Sequence, residues 1–245
     1  MKVVYLDKEI GNCDRSVCCI GYFDALHRGH QQLINEAIRI ARENGVLAGL
    51  ICFSPDPMEV ITGRKQPHAA GFDTRIKLME SFGLDIVYIM KFDEDFMKST
   101  PKEFCDNYVN KMNLHTLVCG FDYSFGYKGM GKSHMLKELG NFEVSIIEEF
   151  KYYGKKISST RIRNAILSGK FSLVNRLLGW NYYLSVTVDK VSRIDGKWLY
   201  SVHCTDEDII TPKKYLSDNI MIDNELIMYS STNKYKVNDT LNIYL

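Results

Sequence analysis

The sequence lacks the features that mark membrane, secreted and nucleic-acid-binding proteins. No apolar run approaches the ~20 residues that cross a bilayer, and Met1–Asp7 contains no apolar core of a signal peptide. There is no long run of charges of one sign, and a net charge of +1 argues against a broad nucleic-acid or membrane-surface footprint. We therefore expect a cytoplasmic protein whose partners are small molecules, with no nucleic acid and no membrane among them.

The sequence also lacks a Cys-x-x-Cys pair and any Cys/His spacing typical of a zinc site. Its seven cysteines are an odd set, and most of them lie inside apolar segments. We therefore predict buried free thiols in a reducing compartment, with neither a disulfide framework nor a protein-held metal. The 245 residues, 45% hydrophobic and 25% charged, are enough for one or two globular domains.

Apolar runs alternate with helical periodicity from Val17 to about Leu178, which predicts an α/β fold of parallel strands with crossover helices. After His30, apolar residues recur at steps of three and four, and Gly45 stands where a left-handed C-cap is expected. Strands are predicted at 17–20, 46–53, 85–90, 116–119 and 143–147, with further helices at 73–82, from the Thr100-Pro101-Lys102-Glu103 capping box onward, and at 133–139. The sheet is thus predicted to contain about five strands.

Beyond Gly179-Trp180 the pattern changes to alternation rich in β-branched and aromatic residues, at 182–191 and 197–204. Helical periodicity largely disappears there. We therefore predict an α/β domain with a parallel sheet over 1–183, followed by a small all-β appendage over 184–245.

The most informative segment is Gly21-Tyr22-Phe23-Asp24-Ala25-Leu26-His27-Arg28-Gly29-His30, which follows a predicted strand and precedes a predicted helix. The imidazoles of His27 and His30 would lie together at the helix N-terminus, where free N–H groups and the helix dipole favour an anion. The segment therefore predicts a site for a phosphate chain. The alternative is structural: a histidine caps or packs against the helix, and Asp24 closes an Asx-turn.

A second candidate site is Ser158-Ser159-Thr160-Arg161-Ile162-Arg163, at a predicted helix start. Hydroxyl and N–H groups there can hold phosphate oxygens, and Arg163 can offer the bidentate fork that phosphate geometry favours. On its own the segment is more typical of a Ser or Thr N-cap followed by solvated arginines. The phosphate-binding interpretation is favoured only in combination with the His27 and His30 motif.

A competing nucleotide motif is Gly126-Tyr127-Lys128-Gly129-Met130-Gly131-Lys132-Ser133, which satisfies the P-loop pattern G-x-x-x-x-G-K-S. A P-loop joins a strand directly to a helix, whereas Gly120 to Phe125 intervene here after the predicted strand. The next predicted strand ends in Glu148-Glu149 rather than in the aspartate of a Walker B partner. We therefore rank a P-loop NTPase well below the phosphate site at His27 and His30.

The motifs also occur in an order seen in one known family. They are the His-x-Gly-His segment, Phe53-Ser54-Pro55-Asp56-Pro57, Gly120-Phe121-Asp122-Tyr123-Ser124-Phe125-Gly126, Ser158-Ser159-Thr160-Arg161-Ile162-Arg163 and Leu177-Leu178-Gly179. Over roughly residues 15–183 the chain resembles the FMN adenylyltransferase module of the prokaryotic FAD synthetases. The resemblance implies a Rossmann-like nucleotidylyltransferase domain and the reaction of FMN with ATP, with Mg²⁺, to give FAD and pyrophosphate.

The resemblance also assigns residues, by the motif positions that match. The catalytic residues would be His27, His30 and Arg163. The ATP-binding residues would be Gly21, Phe23, Asp24, His27, Gly29, His30, Ser159, Thr160 and Arg163, and the flavin-binding residues would be Phe53, Pro55, Asp56 and Asp122. No protein cage for a metal is evident, so Mg²⁺ would arrive with ATP. The family usually has Gly where this chain has Ala25, and His where it has Asp56.

Two other functions stay open at this point. A nucleotidylyltransferase of the same fold could use another acceptor, such as a pantetheine or nicotinamide nucleotide. The departures at Ala25 and Asp56 would suit a catalytically impaired flavin-binding or regulatory protein. Many family members also carry a riboflavin kinase domain, which we expect to be missing, because 184–245 is short and lacks the Pro-Thr-Ala-Asn kinase motif. ATP and FMN are the expected partners, and the oligomeric state is left open.

Overall fold

The computed structural model describes residues 1–7, 10–11, 13–65, 67–206, 208–223 and 225–245. The chain divides into two compact units, one formed by residues 1–66 and 72–156 and the other by residues 67–71 and 157–245. The domain boundary predicted after residue 183 stays a prediction, since compactness alone does not define a functional module.

The first unit has α/β architecture. Its strands are β1 Lys2–Leu6, β2 Ser16–Ile20, β3 Leu47–Ser54, β4 Ile86–Lys91, β5 Leu114–Gly120, β6 Ser124–Phe125, β7 Gly131–Lys132, β8 Glu143–Ile147, β9 Lys151–Tyr152 and β10 Lys155–Lys156. Its α-helices are α1 Arg28–Asn44, α2 Pro57–Thr62, α3 Phe72–Ser81, α4 Glu94–Lys98, α5 Pro101–Asn107 and α6 Leu136–Leu139. Short 3-10 helices span Val109–Lys111, Tyr127–Gly129 and Ser133–Met135.

Among the described residues, six strands of this unit form one parallel sheet in the order β1-β4-β3-β2-β5-β8. The order reverses at β2, because β3 and β4 lie on one side of it and β5 and β8 on the other. In such doubly wound sheets the ligand crevice lies outside the carboxyl ends of the strands at the reversal point. The loop that follows β2 therefore starts at the expected ligand edge.

The sheet has one strand more than the predicted five, because β1 at the N-terminus pairs in parallel with β4. This strand is at the edge of the sheet, and Tyr5 on it is 69% exposed. The run Val3-Val4-Tyr5-Leu6 is itself a strand signal, which the five predicted strands do not include.

The predicted start and stop signals of the helices are confirmed. Gly45 ends α1 in the left-handed region with φ 64°, and its N–H donates to the carbonyl of Ala41. Thr100 and Glu103 form the reciprocal capping box that opens α5 at Pro101. The short helices α2 and α4 were not predicted, because one turn is too short to show periodicity, although Asp56 and Asp93 cap them.

From residue 157 the second unit contains two helices, α7 Ser159–Leu167 and α8 Phe171–Leu178, followed in the described residues by strands. In chain order the strands are β11 Tyr183–Ile194, β12 Lys197–Cys204, β13 Lys214–Leu216, β14 Ile220–Asp223, β15 Glu225–Ser230 and β16 Thr240–Tyr244. Within the described ranges they form an antiparallel sheet in the order β13-β14-β15-β12-β11-β16. The predicted α/β fold followed by an all-β region is therefore confirmed.

Segment 67–71, which lies between α2 and α3 in the chain, belongs to this second unit. The N–H of His68 donates to the carbonyl of Asp208 at 2.7 Å, and the N–H of Ile210 donates to the carbonyl of His68 at 2.8 Å. These paired bonds hold the segment against the loop before β13.

Two further predictions concern the whole chain. All seven cysteines lie in described ranges and are free thiols, five of them buried and two, Cys13 and Cys204, half-buried. The predicted burial of the thiols is therefore confirmed for five of the seven. None of the helices in the described ranges is long and apolar enough to cross a membrane.

Candidate active site

The loop between β2 and α1 is fixed by buried residues of unusual backbone conformation. Phe23 and Leu26 have positive φ values of 58° and 44°, and both side chains are fully buried. Residues of this kind keep such conformations only where the surrounding packing dictates them. The N–H of Gly21 donates to the carbonyl of Ile51 at 3.1 Å, which ties the start of the loop to β3. The loop is therefore held in one shape before any ligand binds.

The two predicted histidines are in contact at the N-terminus of α1. His27 is the N-cap, and its Nδ1 accepts a hydrogen bond from the backbone N–H of His30 at 3.2 Å. The two rings stack with centroids 3.7 Å apart and planes 16° apart, and Phe23 meets His30 edge-on at 5.0 Å. The structural interpretation weighed from the sequence is thus correct in part, because His27 does cap the helix.

Both imidazoles are neutral near pH 7. Burial lowers the pKa of His27 to about 4, with the nearby Asp24 carboxylate opposing and Lys156 adding to the effect. Burial also lowers the pKa of His30 well below its usual value, and His27 adds to this. Because Nδ1 of His27 accepts a hydrogen bond, the proton of the neutral ring must be on Nε2. His27 therefore presents an N–H donor without needing a positive charge.

A side chain at either glycine of the motif would make a close contact with a neighbouring ring. A Cβ at Gly29 would lie 3.2 Å from Cε1 of His27, and a Cβ at Gly21 would lie 3.3 Å from the Phe23 ring. Either methyl would push on a ring that shapes the loop. Ala25 is fully buried and, in this fully described loop, is not one of the positive-φ positions, so its methyl is accommodated without strain.

A cavity of about 610 Å³ opens beside this loop within the first unit. Gly21 and Tyr22 line it, and its walls are rich in aromatic residues, with Phe53, Phe92, Phe96 and Phe104 among them. Two of the residues predicted to face a flavin, Phe53 and Asp122, line the cavity. The other two, Pro55 and Asp56, are not among the lining residues, although the adjacent Pro57 is.

Asp56 is turned toward the protein. Its Oδ1 accepts a hydrogen bond from the N–H of Met58 at 2.7 Å and so caps α2. The hydroxyl of Tyr22 also hydrogen-bonds to Asp56, and the carboxylate is only 6% exposed. Asp56 therefore supports the cavity wall from behind, through Tyr22 and the turn that carries Pro57.

The sequence did not identify Arg75 as a candidate site residue. It lies on α3 with its guanidinium carbon 5.3 Å from the centre of the Tyr22 ring and 5.7 Å from that of Phe72. The side chain is only 8% exposed. The one signal in the sequence is its i, i+4 spacing from Met79 on the buried face of the helix, where a lysine or arginine is unusual.

Asp122, which also lines the cavity, is paired with a lysine. Nζ of Lys156 contacts its carboxylate, lies 3.9 Å from Oε1 of Glu149 and sits 5.6 Å from the centre of the Phe121 ring. This lysine is the cation whose charge contributes to the lowered pKa of His27. A positive charge is therefore available near the imidazoles, held by two carboxylates.

Ser159, Thr160 and Arg163 lie in the second unit, in the first turns of α7. The preceding Ser158 is the N-cap, and its hydroxyl accepts from the N–H of Arg161 at 3.3 Å. The predicted helix start and hydroxyl cap are therefore confirmed. The role of the three residues toward phosphate stays a prediction.

The competing P-loop interpretation is wrong. Strands β6 and β7 pair antiparallel, Ser124 opposite Lys132 and Phe125 opposite Gly131, with the 3-10 helix Tyr127–Gly129 between them. The motif is thus a small hairpin and not a loop from a strand into a helix, so its N–H groups are not gathered around a phosphate. Lys132 ends strand β7 and directly precedes the 3-10 helix Ser133–Met135, so the motif reaches a helix only after crossing the hairpin.

In the part of the chain that the structure describes, no group of three or more His, Cys, Asp or Glu side chains is arranged to hold a metal ion. Neutral imidazole N–H groups at a helix N-terminus are donors suited to phosphate oxygens.

The comparisons with known proteins agree with this geometry. The FAD synthetase family profile matches residues 10–161. A bifunctional riboflavin kinase/FMN adenylyltransferase of Listeria monocytogenes is 35% identical over 87% of this chain and 71% of its own length. An FAD synthetase of the same organism is 30% identical over 71% of this chain and 72% of its own length.

The chain spans 71%, 65% and 61% of the length of three bifunctional relatives. A crystal structure described as a macrolide-efflux protein from Streptococcus pneumoniae superposes with a TM-score of 0.86, covering 100% of this chain and 98% of that one. At 24% identity this likeness shows the fold alone. The profile match and the identity to the Listeria enzyme show that the chain belongs to the FAD synthetase family of nucleotidyltransferases.

Proposed function

We propose that this chain is an FMN adenylyltransferase, which transfers AMP from ATP to the phosphate of FMN and releases pyrophosphate. The observation that carries the proposal is the stacked His27 and His30 pair, at the reversal point of the sheet and on the loop that lines the aromatic cavity. A phosphate-binding helix start and a cavity for a planar ring are the two parts that such a reaction needs.

The ATP phosphates bind at the N-terminus of α1. Nε2–H of His27 and the ring of His30 face developing charge, while Gly21, Phe23, Asp24 and Gly29 fix the loop. By family resemblance, Ser159, Thr160 and Arg163 also bind phosphate oxygens, with His27, His30 and Arg163 as the catalytic residues. Mg²⁺ held by the ATP phosphates would supply positive charge to the leaving pyrophosphate.

The chemistry needs alignment more than activation. The phosphate monoester of FMN has a second pKa near 6, so at pH 7 its oxygen is already anionic. That oxygen forms a bond to the α-phosphorus of ATP as the bond to the β-phosphate bridging oxygen breaks. The chain's contribution is to hold two anions in line and to donate hydrogen bonds where charge grows. Neutral imidazole donors serve this without a proton transfer.

The flavin ring occupies the aromatic cavity. The cavity volume of about 610 Å³ lies within the range of pockets that enclose ligands of this size. Phe53, Phe92 and Phe96 offer ring faces and edges for a planar heterocycle, and Asp122 offers a polar contact at the rim. Pro55 and Asp56 shape the wall rather than contact the ring.

The proposal includes a functional module over 1–183, an all-β appendage over 184–245 without riboflavin kinase activity, and a cytoplasmic location. It is tested by incubating the purified chain with ATP, Mg²⁺ and one acceptor at a time, followed by chromatography of the flavins and nucleotides. FMN should give FAD, and riboflavin should give neither FMN nor FAD. Adenylylation of a pantetheine or nicotinamide nucleotide but not of FMN would reassign the acceptor, and FMN binding without turnover would indicate a flavin-binding protein.

A further inference from the structure

We propose that Arg75 is a positioning residue for the acceptor: its buried guanidinium balances the Asp56 carboxylate across the Tyr22 ring and so holds the cavity wall in shape. The inference rests on the proposed function, because it names what fixes the flavin side of that site. All three residues belong to the first unit.

The guanidinium of Arg75 is buried and incompletely hydrogen-bonded. It lies over the rings of Tyr22 and Phe72, at 5.3 and 5.7 Å, and the side chain is 8% exposed. Its Nε is fully buried and donates to no acceptor in the described part of the chain. A buried cation of this kind is costly unless a nearby negative charge offsets it. An arginine placed here therefore needs an anionic counterpart.

Asp56 provides that negative charge. The carboxylate is 6% exposed, caps α2 through Met58 and receives the Tyr22 hydroxyl. Both charges act on the same phenol. Burial raises the pKa of Tyr22 well above its usual value, the Arg75 charge opposes this, and the charges of Asp56 and Asp24 add to it. The Tyr22 ring is thus in contact with a buried cation, and its hydroxyl is hydrogen-bonded to a buried anion.

This arrangement borders the cavity. Tyr22 and Pro57 both line it, and each is adjacent to one of the charged groups: Tyr22 to Arg75, and Pro57 to Asp56 in the chain. Loss of the guanidinium leaves the carboxylate as an uncompensated buried charge, and the turn that carries Asp56 must then shift or expose it. The wall formed by Tyr22 and Pro57 would move with it, while the phosphate loop at His27 is held by separate contacts.

The effects of removing the Arg75 charge and the Asp56 charge on FMN binding should therefore be non-additive, and a double-mutant cycle measures this coupling. Arg75→Met removes the cation, and Asp56→Asn removes the anion while keeping a side chain that can cap α2. Arg75→Lys restores the charge without the flat guanidinium, and Lys77→Met, at an exposed position of α3, is the matched control. Steady-state kinetics with FMN and with ATP, FMN titrations and thermal unfolding are measured for each variant.

We expect Arg75→Met to raise KM for FMN by at least about tenfold, with kcat and KM for ATP within about threefold of wild type. Arg75→Lys should recover part of the loss, and Lys77→Met should behave as wild type. Adding Asp56→Asn to Arg75→Met should bring KM for FMN back to within about threefold of Asp56→Asn alone. If Arg75→Met does not fold, the double variant and Arg75→Lys still carry the comparison.

The inference is overturned if Arg75→Met matches Lys77→Met, if the two substitutions are additive, or if kcat and both KM values change together with the unfolding temperature. These outcomes are distinct from a failure of the proposed function, in which wild type forms no FAD. In that case the FMN titrations decide: weaker binding in Arg75→Met, recovered in the double variant, supports the positioning role, and unchanged or absent binding contradicts it.

Discussion

Nδ1 of His27 accepts the backbone N–H of His30 at 3.2 Å, and the two imidazoles stack at 3.7 Å, so the cap of α1 and the candidate phosphate site are the same pair of residues. One ring nitrogen of His27 is used for structure, and the other is left as a donor. A substitution at either position therefore has a structural and a functional part, which experiments must separate.

For His27 the two parts can be separated with asparagine, which is a good N-cap but does not reach as far as an imidazole. We predict that His27→Asn keeps the unfolding temperature near that of wild type and lowers kcat by roughly a hundredfold or more, as loss of a transition-state donor typically does. His30→Ala should lower kcat similarly, and FMN binding should survive in both. Turnover within about threefold of wild type in both variants would make the imidazoles purely structural.

Gly29 tests whether the position of the His27 ring matters. Its missing Cβ would lie 3.2 Å from Cε1 and 3.3 Å from Nδ1 of His27. Gly29→Ala should displace the ring by a few tenths of an ångström and reduce kcat/KM for ATP by roughly tenfold, because catalysis depends steeply on alignment. Helix propensity favours alanine, so stability should change little. Gly11→Ala is the control, since a Cβ there meets nothing within 4 Å. Equal activity of the two variants would contradict the prediction.

The lowered pKa of His27 predicts a pH dependence of stability. Between pH 6.5 and about 4 the unfolded chain binds a proton at His27 that the folded chain does not, so its contribution to stability is lost as pH falls through this window. The shift corresponds to about 3 kcal/mol for a fully buried group. The unfolding free energy of wild type should therefore fall more steeply than that of His27→Asn, measured by denaturant titration from pH 7 to 4. A variant of the exposed His134 should parallel wild type, and parallel curves for all three proteins would refute the burial argument.

Lys132 and Arg163 distinguish the hairpin from the proposed ATP site. Lys132 lies in strand β7 of a hairpin, so Lys132→Ala should change KM for ATP by less than about threefold. Arg163→Ala should reduce kcat/KM for ATP by roughly a hundredfold, because a bidentate phosphate contact would be lost. Parallel ATP titrations of the two variants provide the measurement. If Lys132→Ala lost activity and Arg163→Ala did not, the result would support the P-loop interpretation instead.

The β2 to α1 region was predictable because its signals are local. The buried strand, the histidines at the helix start, Gly45 at its end and the capping box at Thr100 each depend on a few neighbouring residues. The edge strand β1 also carries a local signal in Val3-Val4-Tyr5-Leu6, but its place at the edge of the sheet depends on pairing with the distant β4 and could not be read from the sequence. The hairpin at Gly126–Ser133 shows that a local signal can also mislead. Its sequence matches the P-loop pattern, but the segment forms a hairpin and not a P-loop.

Within the site, the sequence pointed to residues that line the cavity more successfully than to residues that support the cavity wall. Phe53 and Asp122 line the cavity as expected, while Asp56 acts from behind it as a helix cap. Arg75 could not be recognised, because Phe72 on the same helix is an ordinary i, i+3 neighbour, whereas the contact with Tyr22 joins α3 to the loop after β2 and forms only in the folded chain. Contacts between separate elements carry no local pattern.

The most direct test of the account is the stoichiometry of the reaction in wild type and in His30→Ala. With FMN, ATP and Mg²⁺, wild type should form FAD and pyrophosphate in equal amounts, and His30→Ala should bind FMN as wild type does while forming both products at least roughly a hundredfold more slowly. Nucleotide release without FAD, or equal rates in the two proteins, would contradict the assignment of adenylyl transfer to the stacked histidines.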